Sequence, residues 1–138
     1  MATYKQLFMQ YLDANDIKYT DLKEFVVKIV YNGDNLQTIP VYVFFDEDGD
    51  PIVQLKCWNI ANFKGKEGVG IAACNKANKE YRWITYCIDD DADVVASIDA
   101  YISADTCGDE CLRLVRRMVN ITDTVYPIFM KAMWGGND

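Results

Sequence analysis

Between residues 68 and 84 the chain reads GVGIAACNKANKEYRWI, a run of small helix-compatible residues that passes with almost no connection into an aromatic and β-branched strand. A helix carrying Gly68, Gly70, Ala72, Ala73 and Ala77 can bring its backbone close to a neighbour, but it has too little side-chain surface to be stable alone. It must be packed against other elements. That requirement points to helices and strands sharing one core.

The segments on either side supply those elements. Thr3 and Gln6 have the spacing of a capping box, in which the threonine hydroxyl takes a free helix-start N–H and the glutamine reaches back to the cap. Tyr4, Leu7, Phe8, Tyr11 and Leu12 then recur on one helical face, with Lys5, Gln10 and Asp13 on the other, to an end near Asn15. Residues 25–31 are β-branched and aromatic, and Asn32-Gly33-Asp34 stops them in a turn that tolerates positive φ. In residues 39–45, Val41, Val43 and Phe45 share a side, and Pro40 belongs at the start or edge because it cannot donate to a ladder. The acidic turn at residues 46–50 leads into a third strand, 52–58. These three strands form an antiparallel meander.

After the helix at residues 68–79, a strand over 82–88 and the turn at 89–93 lead to residues 94–102. There Val94, Ala96, Ile98, Ala100 and Ile102 alternate with Ser97 and Asp99, the pattern of a half-buried strand. The last helix runs from about residue 106 to 134. It carries one stripe of Cys111, Leu114, Met118, Ile121, Val125, Ile128 and Ala132, and beside it another of Leu112, Val115, Val119, Tyr126, Phe129 and Met133. Pro127 lacks an N–H and clashes with the preceding turn, so a kink or break is expected between residues 123 and 127. The order is α-βββ-α-ββ-α, one α+β domain over residues 1–138 without repeat or linker.

A chain of 138 residues buries roughly 68% of its unfolded surface and needs no staples. The formal charge of −7 opposes the electrostatic capture of phosphates, which argues against DNA, RNA and anionic membranes as partners. No apolar run approaches the roughly 20 residues of a membrane span, and the start lacks a signal-peptide pattern, so a cytoplasmic location is expected. Five cysteines without a C-x-x-C pair fit a reducing compartment. Cys107, near a helix start, is the thiol expected to be most reactive.

The motifs that could carry chemistry fail in context. The chain has no histidine, the usual base for cysteine or serine catalysis. Gly68-Val69-Gly70-Ile71-Ala72-Ala73 matches a G-x-G-x-x-A dinucleotide fingerprint, with Asp89 at about the distance of a ribose ligand, but the glycines do not follow a buried parallel strand. Close helix packing is the better reading. Asp46-x-Asp48-x-Asp50 opens like a calcium loop, yet Pro51 and Cys57 stand where glycine and the bidentate glutamate belong. Asp89-x-Asp91-x-Asp93 fails likewise, at Val94 and Ala100. The scattered cysteines lack the close pairs of a structural zinc site. No catalytic, cofactor-binding or metal-ligating residue is assigned. Asn75 and Asn78 are unusual within one short helix and suggest hydrogen bonds to a neighbouring loop or a partner chain, or a capped helix end.

The succession YLDANDIKYTD, VYVFFDEDGDPIVQL, CNKANKEYRWITYCIDDDADVV and DTCGDECLRLVRRMVNITDTVYPIFMKAMW resembles the YbjN-like bacterial proteins, candidate sensory-transduction regulators. The resemblance spans nearly the whole chain. It implies a fold like that of type III secretion chaperones, a five-stranded antiparallel sheet flanked by helices, often dimeric, and it transfers no catalytic residue. The expected function is a non-enzymatic protein-binding or regulatory module acting as a homodimer. This module is expected to hold a protein segment or regulate a partner through an apolar surface of the sheet or of the last helix, with contact residues Leu114, Met118, Ile121 and Val125, and Asn75 and Asn78. The alternative is a small-molecule or divalent-metal-responsive sensor using the helix at 68–78 or the acidic turns.

Overall fold

The capping box at Thr3 forms as expected, with Gln6 N–H donating to Thr3 Oγ1 at 3.1 Å and Thr3 N–H donating to Gln6 Oε1 at 2.9 Å. It starts α1 (Tyr4–Ala14). The structure, a computed structural model, describes residues 2–135. After α1 come β1 (Thr20–Lys23), β2 (Val26–Tyr31), β3 (Ile39–Phe45), β4 (Ile52–Cys57), α2 (Glu67–Glu80), β5 (Thr85–Ile88), β6 (Val94–Tyr101) and α3 (Cys107–Trp134). The strands make one antiparallel sheet in the order β1-β2-β3-β4-β6-β5.

The sheet has six strands rather than five. The additional strand, β1, is Thr-Asp-Leu-Lys, exposed along its whole length and without alternation, so it has no sequence signature. Two things hold it: pairing with β2 through a register shift between Asp21 and Lys23, and the side chain of Lys5. The helical pattern places Lys5 opposite the apolar face of α1, but it is buried. Its ammonium pairs with the Asp21 carboxylate and donates to Lys23 O at 2.6 Å and Glu24 O at 3.1 Å.

The strand alternation sorts side chains to two faces. Val27, Ile29, Val41, Val43, Leu55, Cys57, Tyr86 and Ala96 are buried on one of them. α3 crosses that face over β3 and β4, between α1 and α2. Full burial of such a side chain contributes about 1.5–3 kcal/mol, so this layer carries most of the fold's stability. Two glycines permit the close crossings. A Cβ on Gly108 would lie 2.4 Å from Tyr11 of α1, and one on Gly70 would lie 2.7 Å from the ring of Phe63. Deep in the layer the Tyr86 and Thr122 hydroxyls share a 2.9 Å hydrogen bond, and desolvation pushes the Tyr86 pKa up.

Pro127 does not break α3, which runs unbroken from Cys107 to Trp134. The missing N–H leaves the carbonyl of Asp123, four residues back, without its helical partner. Asn35, in the loop between β2 and β3, supplies a substitute: its Nδ2 donates to Asp123 O at 3.1 Å. The same loop wraps the Asp123 carboxylate with backbone N–H donors from Asp34, Asn35 and Leu36 at 3.1, 2.8 and 2.9 Å. Desolvation by the loop acts to raise the Asp123 pKa, but the three donors outweigh it and the net shift is downward. Gly33 is needed here for space, since a Cβ would lie 2.3 Å from Asp123 Oδ1.

Candidate functional site

The face of the sheet opposite the helices is built by the other half of each alternation. β2 contributes Val26, Lys28 and Val30, and β3 contributes Pro40, Tyr42 and Phe44. From β4 come Ile52, Gln54 and Lys56, and from β6 Ser97, Asp99 and Tyr101. Register aligns Lys28, Tyr42, Lys56 and Ser97 in one row across the strands, and Val26, Phe44, Gln54 and Asp99 in the next. Trp58, just past β4, closes an aromatic cluster, its ring centroid 5.0 Å from Tyr42 and 6.0 Å from Phe44, both edge-on. Lys28 Nζ lies 5.6 Å from the Tyr42 centroid and Lys56 Nζ 5.8 Å from that of Trp58, so two cations rest on the cluster. Val30, Ile52 and Tyr101 are exposed, the last by 83%. At the end of this face, near the β3–β4 turn, lies a depression of about 430 Å³.

The residues expected to meet a partner divide differently. Met118 and Val125 are fully buried, and Leu114 and Ile121 are half-buried against the same core. This corrects Met118 and Val125 as partner contacts, because the chain's own sheet and helices cover them, while Leu114 and Ile121 keep part of their surface. Asn78 has an internal role. Its Oδ1 accepts from Tyr86 N–H at 2.8 Å and its Nδ2 donates to Tyr86 O at 2.9 Å, so one side chain occupies both backbone groups of Tyr86 on edge strand β5. Asn75 is exposed, one turn earlier, and makes no side-chain hydrogen bond among the described residues.

The remaining motifs also resolve into structural roles. Gly70 packs against Phe63 and Ile88, while Gly68 faces open space, so the apparent nucleotide fingerprint is one packing glycine and one surface glycine. Asp46 Oδ2 accepts from the N–H groups of Asp48 and Asp50, each at 3.0 Å. Asp89 Oδ1 accepts from Asp91 and Asp93 at 2.9 and 3.0 Å. Both acidic clusters cap their own turns. Cys107 is buried and its thiol donates to Tyr4 O at 3.5 Å. A hydrogen bond from Cys111 lowers the Cys107 pKa, the expected direction, and raises that of Cys111, yet burial denies either thiol a reaction partner. Burial pushes Cys57 up to about 12, and burial together with Cys87 pushes Cys74 up to about 11. The exposed thiol is Cys87, so the expectation that Cys107 is the most reactive is corrected.

The aromatic cluster was absent from the residues singled out by sequence, although a signal for it existed. Placing Val41, Val43 and Phe45 inward puts Tyr42 and Phe44 outward, and antiparallel pairing then brings Lys28 and Lys56 beside them.

Neither a protein-family model nor a curated protein sequence matches the chain. The fold matches solved structures. One is YbjN from E. coli, a candidate transcription regulator, with a TM-score of 0.63 at 11% identity over 91% of this chain and 88% of that one. Another is the Yersinia pestis type III secretion chaperone SycH, solved in complex with a stable fragment of YscM2, with a TM-score of 0.59 at 13% identity over 89% of this chain and 99% of that one. The α+β, YbjN-like and secretion-chaperone-like fold is thereby shown. At these identities the likeness concerns the fold. No helix among the described residues is long and apolar enough to cross a membrane.

Proposed function

We propose that this chain is a non-enzymatic protein-binding module, a single cytoplasmic domain that acts as a homodimer and holds a polypeptide segment on the helix-free face of its sheet. The observation that carries this reading is the cluster of Tyr42, Phe44 and Trp58 on that face, with exposed Val30, Ile52 and Tyr101 around it. Aromatic side chains offer large contact area at low entropic cost and dominate binding hot spots. The fold likeness to SycH, solved with a protein fragment bound, supports the same direction by analogy.

The dimer reading rests on the outer side of α2, where Gly68, Ile71, Ala72 and Asn75 are exposed on one helical stripe, with Ile71 60% accessible. Small residues there would let a second α2 approach closely.

Two measurements test the proposal. Light scattering is expected to return twice the mass of one chain, and Ile71→Asp is expected to halve it; a monomeric wild type would remove the dimer. Capture from native lysate is expected to yield a partner that a folded Phe44→Ser, Trp58→Ser variant loses. Retention of that partner by the variant would remove the sheet face from its recognition.

A further inference from the structure

The depression at the end of the helix-free face has a definite chemistry. Phe44, Ile52 and Tyr101 line it with Gln54, Asp46 and Asp99, together with Phe45, Val53 and Ala100, the neighbouring residues of the same strands. The register fixes this arrangement: Phe44 is opposite Gln54, Gln54 opposite Asp99, and Ile52 opposite Tyr101. Next to it in sequence, Ile102 N–H donates to Pro51 O at 2.9 Å and joins the end of β6 to the β3–β4 turn. Asp46 is held by the two N–H donors on its Oδ2, which leave Oδ1 free to accept. Asp99 makes no ion pair among the described residues, and no lysine or arginine lines the depression.

We infer that this depression is a subsite for an arginine side chain of the partner polypeptide. It rests on the protein-binding reading for the source of that arginine. A methylene stem fits the apolar wall of Phe44 and Ile52, and a planar guanidinium can lie against the face of Tyr101 while its N–H groups reach the Asp99 carboxylate. Lysine suits the site less well: its ammonium is a compact, strongly hydrated charge without a flat face to stack. An uncharged apolar side chain would leave the lining carboxylates without a donor. The volume of about 430 Å³ admits one long side chain and its hydration.

The test is an NMR titration of the whole chain with N-acetyl-arginine N-methylamide, its citrulline counterpart, which keeps the shape without the charge, and its lysine counterpart. Saturable shifts are expected at Phe44, Asp99 and Tyr101 with the arginine probe. Affinity is expected to fall about tenfold with citrulline or on Asp99→Asn, the loss of one charge-assisted hydrogen bond. Tyr101→Ala, at a site too exposed to threaten folding, should weaken arginine more than lysine. Equal affinity for citrulline, indifference to Asp99→Asn, or shifts centred elsewhere would overturn the subsite. Asp99→Asn that leaves captured partner unchanged, while Phe44→Ser, Trp58→Ser abolishes it, would refute the arginine pocket and spare the protein-binding role. Loss of neither would refute the role itself.

Discussion

The two faces of the sheet are made by the same strands and the same alternation, yet they serve different ends. On the covered face, valine, isoleucine and leucine meet three helices and are sealed from water. The other face mixes Tyr42, Phe44 and Trp58 with Lys28, Lys56, Gln54 and Asp99, and among the described residues no helix lies on it. A face that mixes large aromatics with charges is poorly suited to a dry interior and well suited to a surface that is covered and uncovered in turn. On the proposed reading, stability and recognition are thus separated by a period of two residues, so a substitution at one position is expected to affect one property and its neighbour the other.

Mutations should show this division. Phe129→Ala, inside the covered layer, is expected to cost about 3–5 kcal/mol in urea unfolding, whereas Phe44→Ala on the free face should cost about 1 kcal/mol or less. Equal losses would mean that the free face belongs to the core. Within α2 the contrast is sharper, because the two glycines are two residues apart. Gly70→Ala should lose about 1–3 kcal/mol as its methyl meets Phe63 and Ile88, while Gly68→Ala, measured in the monomeric Ile71→Asp background, should be neutral or gain about 0.4–1 kcal/mol from helix propensity. Asn78→Ala should cost about 1–2 kcal/mol by stranding two backbone groups of Tyr86, and Asn75→Ala, in the same monomeric background, almost nothing. Thermal unfolding measures both, and sedimentation should show the Asn78 variant associating through the opened β5 edge.

The smallest effect concerns the loop held on α3. The native pKa of Asp123 is lowered, so its contribution is fully present above the ordinary carboxylate pKa and is lost as pH falls through the lower, native value. Asp123→Ala should therefore destabilise by about 0.5–1.5 kcal/mol at pH 7, and the difference from wild type should vanish at the acid end of a pH series of unfolding curves. A difference that persisted in acid would assign the effect to packing rather than to the three N–H donors.

Much of the fold was legible because alternation and capping are local. Thr3 and Gln6 announced α1, and Val94 to Ile102 announced β6 almost to the residue. What escaped depended on contacts distant in sequence. β1 exists because Lys5 and β2 hold it, and Pro127 sits inside a helix because Asn35, 88 residues from Asp123, takes over the orphaned carbonyl. The candidate site was half legible. The pattern specified which residues share a face, but not which face the helices would take, and so Met118 and Val125 were assigned to a partner when they belong to the interior.

The bond between Asn78 and Tyr86 also bears on the order in which the chain assembles. Its partners are 8 residues apart, so a short loop closes it at small entropic cost. The pairing of β4 with β6 joins Leu55 to Ile98 across the whole of α2 and β5 and must come later. β5 therefore reaches the growing sheet with the outward backbone groups of Tyr86 already occupied by a side chain, and a half-built molecule offers a neighbouring nascent chain a shorter extendable edge there. Pulse-labelled hydrogen exchange should find the Tyr86 amide protected before those of β4, and Asn78→Ala should leave that amide unprotected and raise the fraction lost to aggregation during refolding.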